Sequence, residues 1–442
     1  MHDPSQKPFN LAIVGGGISG LILSVGLLKH NIPHTIYESA ASFKEIGAGV
    51  GLAANFVRTL DLISPALREA FLNVAERPDE KNVHWFDVRV GDLRRADADG
   101  FVRKKNGQKF LIGETVIKWP GRPGLQGGVL RAHWLDEMVK LIPDHIPKFG
   151  KRLVDVLTSE DGSGDAILHF ADGTIARHSA VIGCDGIKSR CREIVLGKEE
   201  AKPVFSGKYA YRGLLPMDEA VQIMGEEPPR KAQMFLGYHT HLLTFPIARG
   251  TVFNVVAFSS REVWADPQWV VQGSREEMMK DYADFHPTVK AIITAMRKPD
   301  VWALFDHQPA STFFKVDPRI CLVGDAAHAS TPFQGAGAGF GVEDCYILTE
   351  LLATATKAGD LDKVFQTYDE VRRPRSLKLV STSRAGGKVY QFEGEGGDDL
   401  DEIEQDMVGR MGWIWDHDIR IDLDRGLQSL NAAYPVGHSS VR

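Results

Sequence analysis

The chain has 442 residues, 43% hydrophobic and 25% charged, with a formal net charge of -6. That length gives two to three domain-sized units with ample material for a core. The acidic balance argues against nucleic acid or an anionic membrane as partner, and four cysteines without a C-x-x-C pair argue against a disulfide or zinc framework.

The polar first ten residues, with Pro4 and Pro8, lack the basic-then-apolar order of a secretory signal. No apolar run reaches the roughly 18 residues that span a bilayer. A cytoplasmic protein is the expectation. Leu11–Val14 reads as a buried parallel strand. A Gly-rich turn and a helix to about His30 follow, and His34–Tyr37 completes a β-α-β start. From Arg77 to about Lys118 charged and aromatic residues alternate, as in antiparallel sheet. Residues 131–141 have helical spacing. Segments 153–156, 166–170 and 175–177 read as a meander turning at Asp172-Gly173, and 181–183 as another buried strand. Residues 203–262 alternate apolar and polar, which predicts mostly antiparallel sheet. Helices are expected over 276–296 and 362–375. Between them, 320–324 reads as a strand before a second Gly-rich turn and a helix to about Ala358. Beyond Gly394 lie six Asp or Glu between residues 398 and 406, then Trp413 and Trp415, which are expected to dock on the body.

Gly15-Gly16-Gly17-Ile18-Ser19-Gly20 supplies G-x-G-x-x-G between strand and helix. One glycine permits a tight turn, one admits a pyrophosphate to the backbone, and one lets helix and strand pack closely; the helix N-terminus faces the phosphates. Glu38 lies 18 residues beyond Gly20, where a carboxylate accepts hydrogen bonds from a ribose diol. The plain alternative is a glycine turn with a surface glutamate. Asp185 stands in Gly183-Cys184-Asp185-Gly186, which by itself reads as a turn. Asp325 stands in Gly324-Asp325-Ala326-Ala327-His328, where it can hold a ligand hydroxyl. Segment 332–339 exposes backbone N–H groups that stabilise negative charge. A ligand-free strand–loop–helix turn is the alternative there.

In this order the three motifs resemble the single-component FAD-dependent aromatic monooxygenases of the 4-hydroxybenzoate hydroxylase type, over about residues 10–390. The resemblance implies an α/β fold: a Rossmann-like FAD-binding domain (1–78, 120–195 and 300–375), a substrate-binding domain with a mostly antiparallel sheet (79–119 and 196–299), and a C-terminal helical region (376–442). It places Gly15, Gly17, Ser19, Gly20 and Glu38 on the ADP half of FAD and adds Gly49 to the cofactor set. It places Arg131 on the flavin chain, Asp325 on the ribityl chain, and Gly337, Ala338 and Gly339 beside the isoalloxazine ring. It links Asp185 to the pyrophosphates of FAD and NAD(P)H. Only one full dinucleotide fingerprint is present, so NADH or NADPH is expected to bind transiently.

Segments 45–50, 211–213, 243–246, 254–258 and 413–418 are similar to salicylate hydroxylases. That similarity implies conversion of salicylate to catechol and CO2 through a flavin hydroperoxide, with the protein positioning and desolvating the reactants. Hydroxylation of another phenol without decarboxylation is the alternative. His241, at the start of a strand leading to Phe245, is expected to relay the phenolic proton, Arg261 to pair the carboxylate, and Arg212 to approach the substrate. A structural histidine, a solvated arginine and an interdomain arginine are the corresponding plain readings. Pro332 and Phe333 are expected in the pocket wall; salicylate hydroxylases carry His where Phe333 stands, so this wall is apolar. His239 and His241 lack a third ligand, and no metal is expected. The partners are then a small aromatic acid, O2 and NAD(P)H, in a monomer or homodimer. A plain NAD-dependent dehydrogenase and a non-catalytic flavoprotein are the rival classes; the first has no need of the 325–339 motif.

Overall fold

The computed structural model describes residues 7–43, 49–52, 54–75, 84–122, 126–297 and 299–433. Leu11–Val14 forms a strand because all four residues are apolar and buried, as a parallel strand covered on both faces requires. It pairs in parallel with His34–Tyr37 on one side and Ala180–Gly183 on the other, and Ile320–Leu322 pairs with the latter. Pro147–Lys148 and the antiparallel edge Phe314–Lys315 complete a six-stranded sheet. Helices Ile18–Lys29 and Gly337–Thr354 pack together and share one apolar core with this sheet. Parallel pairing sets the carboxyl ends of three strands side by side. The turns that follow them, at Gly15, Cys184 and Gly324, therefore meet at one sheet edge, where ligands of open α/β sheets bind.

A second sheet has the order Val270–Gln272, Asp300–Asp306, Val204–Pro216, Val252–Ser260, His241–Ile247, Gln233–Leu236, His84–Val90, Thr115–Pro120. Every pairing is antiparallel except Gln233–Leu236 with His84–Val90. Its two faces are both apolar, with Val256 and Phe258 in one cluster and Val255 and Ala257 in the other, as the two-residue period dictates. The far face is covered by helices Met217–Met224, Arg275–Asp281 and Pro287–Ala295. The meander forms as the antiparallel strands Leu153–Thr158, Ala166–Phe170 and Ile175–His178.

Three expectations need correction. The helix expected over 276–296 is two helices, because Pro287 starts a new one with His286 Nδ1 accepting from the Thr288 N–H. The helix expected over 362–375 runs on as Leu361–Tyr390 with Pro374 inside it, so a boundary at 375 falls within one helix. Asp300–Asp306, assigned from sequence to the nucleotide-binding part, pairs with Val204–Pro216 in the second sheet. The boundary at 78 lies outside the described residues. The tail folds into Leu400–Arg410, Gly412–Trp415 and Ile419–Ala433, with Trp415 buried. Among the described residues no helix is long and apolar enough to cross a membrane.

Candidate active site

Gly15 has φ 103°, and a Cβ there would stand 2.4 Å from the Cys184 carbonyl oxygen. A Cβ on Gly20 would stand 2.0 Å from the Gly15 carbonyl oxygen. Neither position accepts a side chain, so the turn is held against the neighbouring strand end. Gly17 differs: nothing lies within 4 Å of its Cβ position. It is the N-cap of Ile18–Lys29, which has no side-chain cap and no acid in its first turn. An uncapped helix start on a cavity lining is the arrangement that binds phosphate.

Gly15, Gly17 and Ser19 line a cavity of about 1330 Å³, as do Glu38, Arg131, Asp185 and Asp325. A pocket for one drug-sized ligand holds roughly 300–1,000 Å³, so this space suits a dinucleotide together with a second, smaller molecule. Glu38 is fixed by the N–H groups of Gly16 (2.8 Å) and Ala40 (2.7 Å), which aims its carboxylate at the glycine turn. Asp325 opens the short helix Asp325–His328 after the strand Ile320–Leu322, with an exposed carboxylate on the cavity and no side-chain partner among the described residues, as a hydroxyl-binding group requires. The Asp185 carboxylate is engaged at home. It accepts from Ser189 Oγ (2.6 Å) and the N–H groups of Arg190 (2.8 Å) and Cys191 (3.1 Å), which ties down the start of Arg190–Leu196.

Gly337 and Ala338 lie on the cavity lining at the start of Gly337–Thr354, another helix without a side-chain cap. Gly339 and Gly20 lie behind it; a Cβ on Gly339 would come 3.3 Å from Asn55 Nδ2. Gly49 pairs with Leu130 in a short two-stranded sheet, and residues 44–48 of its segment lie outside the described residues. The open first turn, the Glu38 carboxylate and the unpaired Asp325 fit the pyrophosphate and hydroxyl groups of FAD.

Phe245, Pro332 and Phe333 line the opposite end with Trp85, Trp119 and Phe258. Arg212 lines it too. Its guanidinium lies 4.7 Å from the Trp302 ring and has no carboxylate partner among the described residues. Burial, then the nearby charge of Arg131, lowers its pKa to about 10, so it stays charged at neutral pH. It is a desolvated cation facing a largely aromatic space, the feature that recognises an organic anion.

His241 and Arg261 do not reach this space. His241 shares a strand face with Leu243 and Phe245, but Phe258 stands opposite it in register and its ring lies flat on His241 at 4.4 Å. Phe333 and Tyr390, at 5.6 and 5.5 Å, close the remaining sides. Both ring nitrogens are buried without a hydrogen bond, and burial holds the pKa well below 6.5. A neutral, sealed imidazole is not placed to relay a proton. Arg261 is exposed and lies over Tyr209 (4.7 Å) and Trp264 (5.5 Å), off the cavity lining. Sequence reasoning missed Trp85, Trp119 and Trp302; the aromatic alternation from Arg77 to Lys118 was the only signal for the first two.

The family described as FAD binding domain matches residues 147–383. The chain is 40% identical to the FAD-dependent monooxygenase pigN of Monascus ruber over 433 residues, covering 94% of this chain and 95% of that protein. It is 37% identical to a salicylate hydroxylase of Pseudomonas putida over 430 residues, covering 93% of each. A solved salicylate hydroxylase substrate complex superposes with a TM-score of 0.80 at 31% identity, covering 95% of this chain and 98% of that one. With an FAD cradle at one end of its cavity and an aromatic, arginine-bearing space at the other, the chain belongs to the FAD-dependent aromatic monooxygenases.

Proposed function

We propose that this monooxygenase hydroxylates a phenolic acid whose anionic group is held by Arg212, and that its reaction is the conversion of salicylate to catechol and CO2. The observation that carries the reading is Arg212 itself, a cation with no counter-ion among the described residues, on the aromatic part of the cavity. FAD, when bound, supplies the chemistry that takes electrons from NAD(P)H and activates O2. One oxygen atom enters the ring as hydroxyl and the other leaves as water; in the decarboxylative case the carboxylate departs as CO2.

The chain's own residues do the positioning. Arg212 binds the carboxylate or phenolate and favours the ionised, electron-rich ring. Trp85, Phe245 and Phe333 flank the ring and exclude water from it. The uncapped N-terminus of Gly337–Thr354 offers N–H groups to negative charge at the cofactor end. None of these steps needs His241.

A second reading is hydroxylation of another phenol without loss of CO2. Phe333 favours it, because this wall offers no hydrogen bond to an ortho carboxylate, and His241 and Arg261 do not take over that task. An oxygen electrode with NADH or NADPH, salicylate and other phenolic acids separates the two. Catechol with CO2 supports the first; coupled uptake with a retained carboxylate moves the function to the second. A protein that binds no FAD and consumes no O2 with any phenol refutes both.

A further inference from the structure

The segment Trp413-Ile414-Trp415-Asp416-His417-Asp418 lies outside both sheets, yet it is anchored from several sides. Arg58 donates to the Trp415 carbonyl. Arg375 donates to the Trp413 carbonyl at 2.8 Å while paired with Glu343 at 2.9 Å. Arg122 grips Asp416 through two hydrogen bonds of 2.7 Å, and its guanidinium lies 5.5 Å from the Trp415 ring. These contacts hold a buried indole at one place on the body, and what it touches there is the back of the substrate space.

Trp415 does not line the cavity, but Trp85 and Trp119 do. The Trp415 ring meets Trp85 edge-on, with centroids 4.9 Å apart and planes at 78°. Trp85 in turn lies 4.7 Å from Trp119, and Trp119 5.9 Å from Tyr390, whose hydroxyl donates to the Phe333 carbonyl at 3.0 Å. The rings form one continuous wall from the C-terminal segment to the loop beside the flavin site. Trp85 stands second in its strand, His84–Val90, at a register shift between the pairs His84–Pro120 and Phe86–Trp119. Packed aromatic walls shift as units when one ring is removed, because the gap is only partly refilled.

We propose that Trp415 is a specificity-determining positioning residue, which sets the depth of the substrate space by fixing Trp85 and, through it, Trp119. The Arg122–Asp416 pair sets the position of Trp415. The inference rests on the reading that the aromatic end of the cavity holds the phenol. It places substrate selection partly in a segment that no substrate touches.

The test uses full-length, FAD-loaded enzyme with Trp415→Leu, Trp415→Phe and Asp416→Asn, and two acids of unequal size, salicylate and 1-hydroxy-2-naphthoate. KM and kcat are read separately, together with the fraction of O2 released as H2O2 and the Kd of each acid from its perturbation of flavin absorbance. Trp415→Leu is expected to shift the kcat/KM ratio at least tenfold toward the larger acid and to raise the H2O2 fraction several-fold at unchanged FAD content. Trp415→Phe should restore most of the ratio, and Asp416→Asn should move it in the same direction as Trp415→Leu. Unchanged ratios and coupling with only a lower Tm would overturn the proposal. If Trp415→Leu does not fold, the other two variants decide it by the same ratio. If wild-type enzyme turns over neither acid, the activity reading fails for these substrates, and the ratio of the two Kd values still decides the role of Trp415.

Discussion

His328 Nε2 lies 2.5 Å from Asp344 Oδ2, and that same oxygen accepts the backbone N–H of Gly324 at 3.1 Å. One buried carboxylate thus fastens both ends of the short helix Asp325–His328, which carries the cavity-lining Asp325. Asp344 belongs to Gly337–Thr354, whose first turn lies on the cavity, and its other oxygen accepts from Arg372 Nε at 2.9 Å. Two separate parts of the cavity lining, Asp325 and the first turn of Gly337–Thr354, are therefore held in fixed relation by one side chain.

Removing this carboxylate should be severe. Asp344→Ala leaves His328 buried without its carboxylate and takes one of the buried carboxylates from Arg372, which keeps Glu343 at 2.9 Å, and breaking a buried pair costs about 3–5 kcal/mol. The expected result is a Tm lower by many degrees and weak FAD retention, read by thermal unfolding and flavin content. Desolvation raises the Asp344 pKa, but His328 and Arg372 outweigh it and hold it at about 2. The folded pKa is below that of the unfolded chain, so this stabilisation is present above about pH 4 and is lost as pH falls toward 2.

Asp325→Ala should act on the cofactor alone. The exposed carboxylate holds no described side chain in place, so its loss should leave Tm of the FAD-free protein within about 1 °C. Loss of one hydrogen bond from a charged acceptor is worth about 1.5–3 kcal/mol, and the Kd for FAD should rise roughly 10- to 100-fold by flavin fluorescence titration.

Arg212→Gln should lower kcat/KM for the preferred phenolic acid by about 100-fold, within the range for losing a charge-assisted contact. Arg212→Lys should recover only part of it, because ammonium does not reproduce the planar fork. An unchanged kcat/KM in Arg212→Gln would remove Arg212 from substrate binding.

Phe333→His tests the apolar wall. Phe333 is packed against Phe258 at 5.2 Å and leaves no room for a Cβ on Gly387, so the change should lower Tm by a few degrees. With salicylate as substrate, a new hydrogen bond of about 1 kcal/mol should raise kcat/KM roughly fivefold. A fall instead would favour a substrate without an ortho carboxylate.

Buried histidines predict acid sensitivity. Burial lowers the His178 pKa to about 4 and, with the charge of Arg192, that of His307 to about 3; His241 lies well below 6.5. Each takes up a proton more readily when unfolded, so stability falls as pH drops through 6.5, by about 1.4 kcal/mol per pH unit for each group until its folded pKa is reached. His241→Phe should flatten part of this slope in urea unfolding between pH 7.5 and 5.5. It should change kcat/KM less than threefold, which a proton-relaying His241 would not permit.

The amino-acid sequence alone located the strand, turn and carboxylates that line one part of the cavity. Leu11–Val14, the glycine turn, Glu38 and Asp325 are legible because each is a local device: four apolar residues make a covered strand, and a glycine is required wherever a Cβ would strike backbone. The antiparallel character of residues 203–262 was legible for the same reason, through its two-residue period. The aromatic part of the cavity was legible only in part: Arg212, Phe245, Pro332 and Phe333 lie on its lining, and His241 and Arg261 do not. His241 has the right strand and the right face, and only the cross-strand position of Phe258 and the return of Phe333 and Tyr390 from far along the chain seal it away. Arg212 and Arg261 read alike in sequence, yet one is a half-buried cation on the cavity and the other is exposed and lies over Tyr209 and Trp264. Trp85, Trp119 and Trp415 become one wall only because the tail folds back across more than 290 residues of chain. Local chemistry fixes an element and its turn; which side chains share a cavity is decided by long-range packing, and no periodicity encodes that.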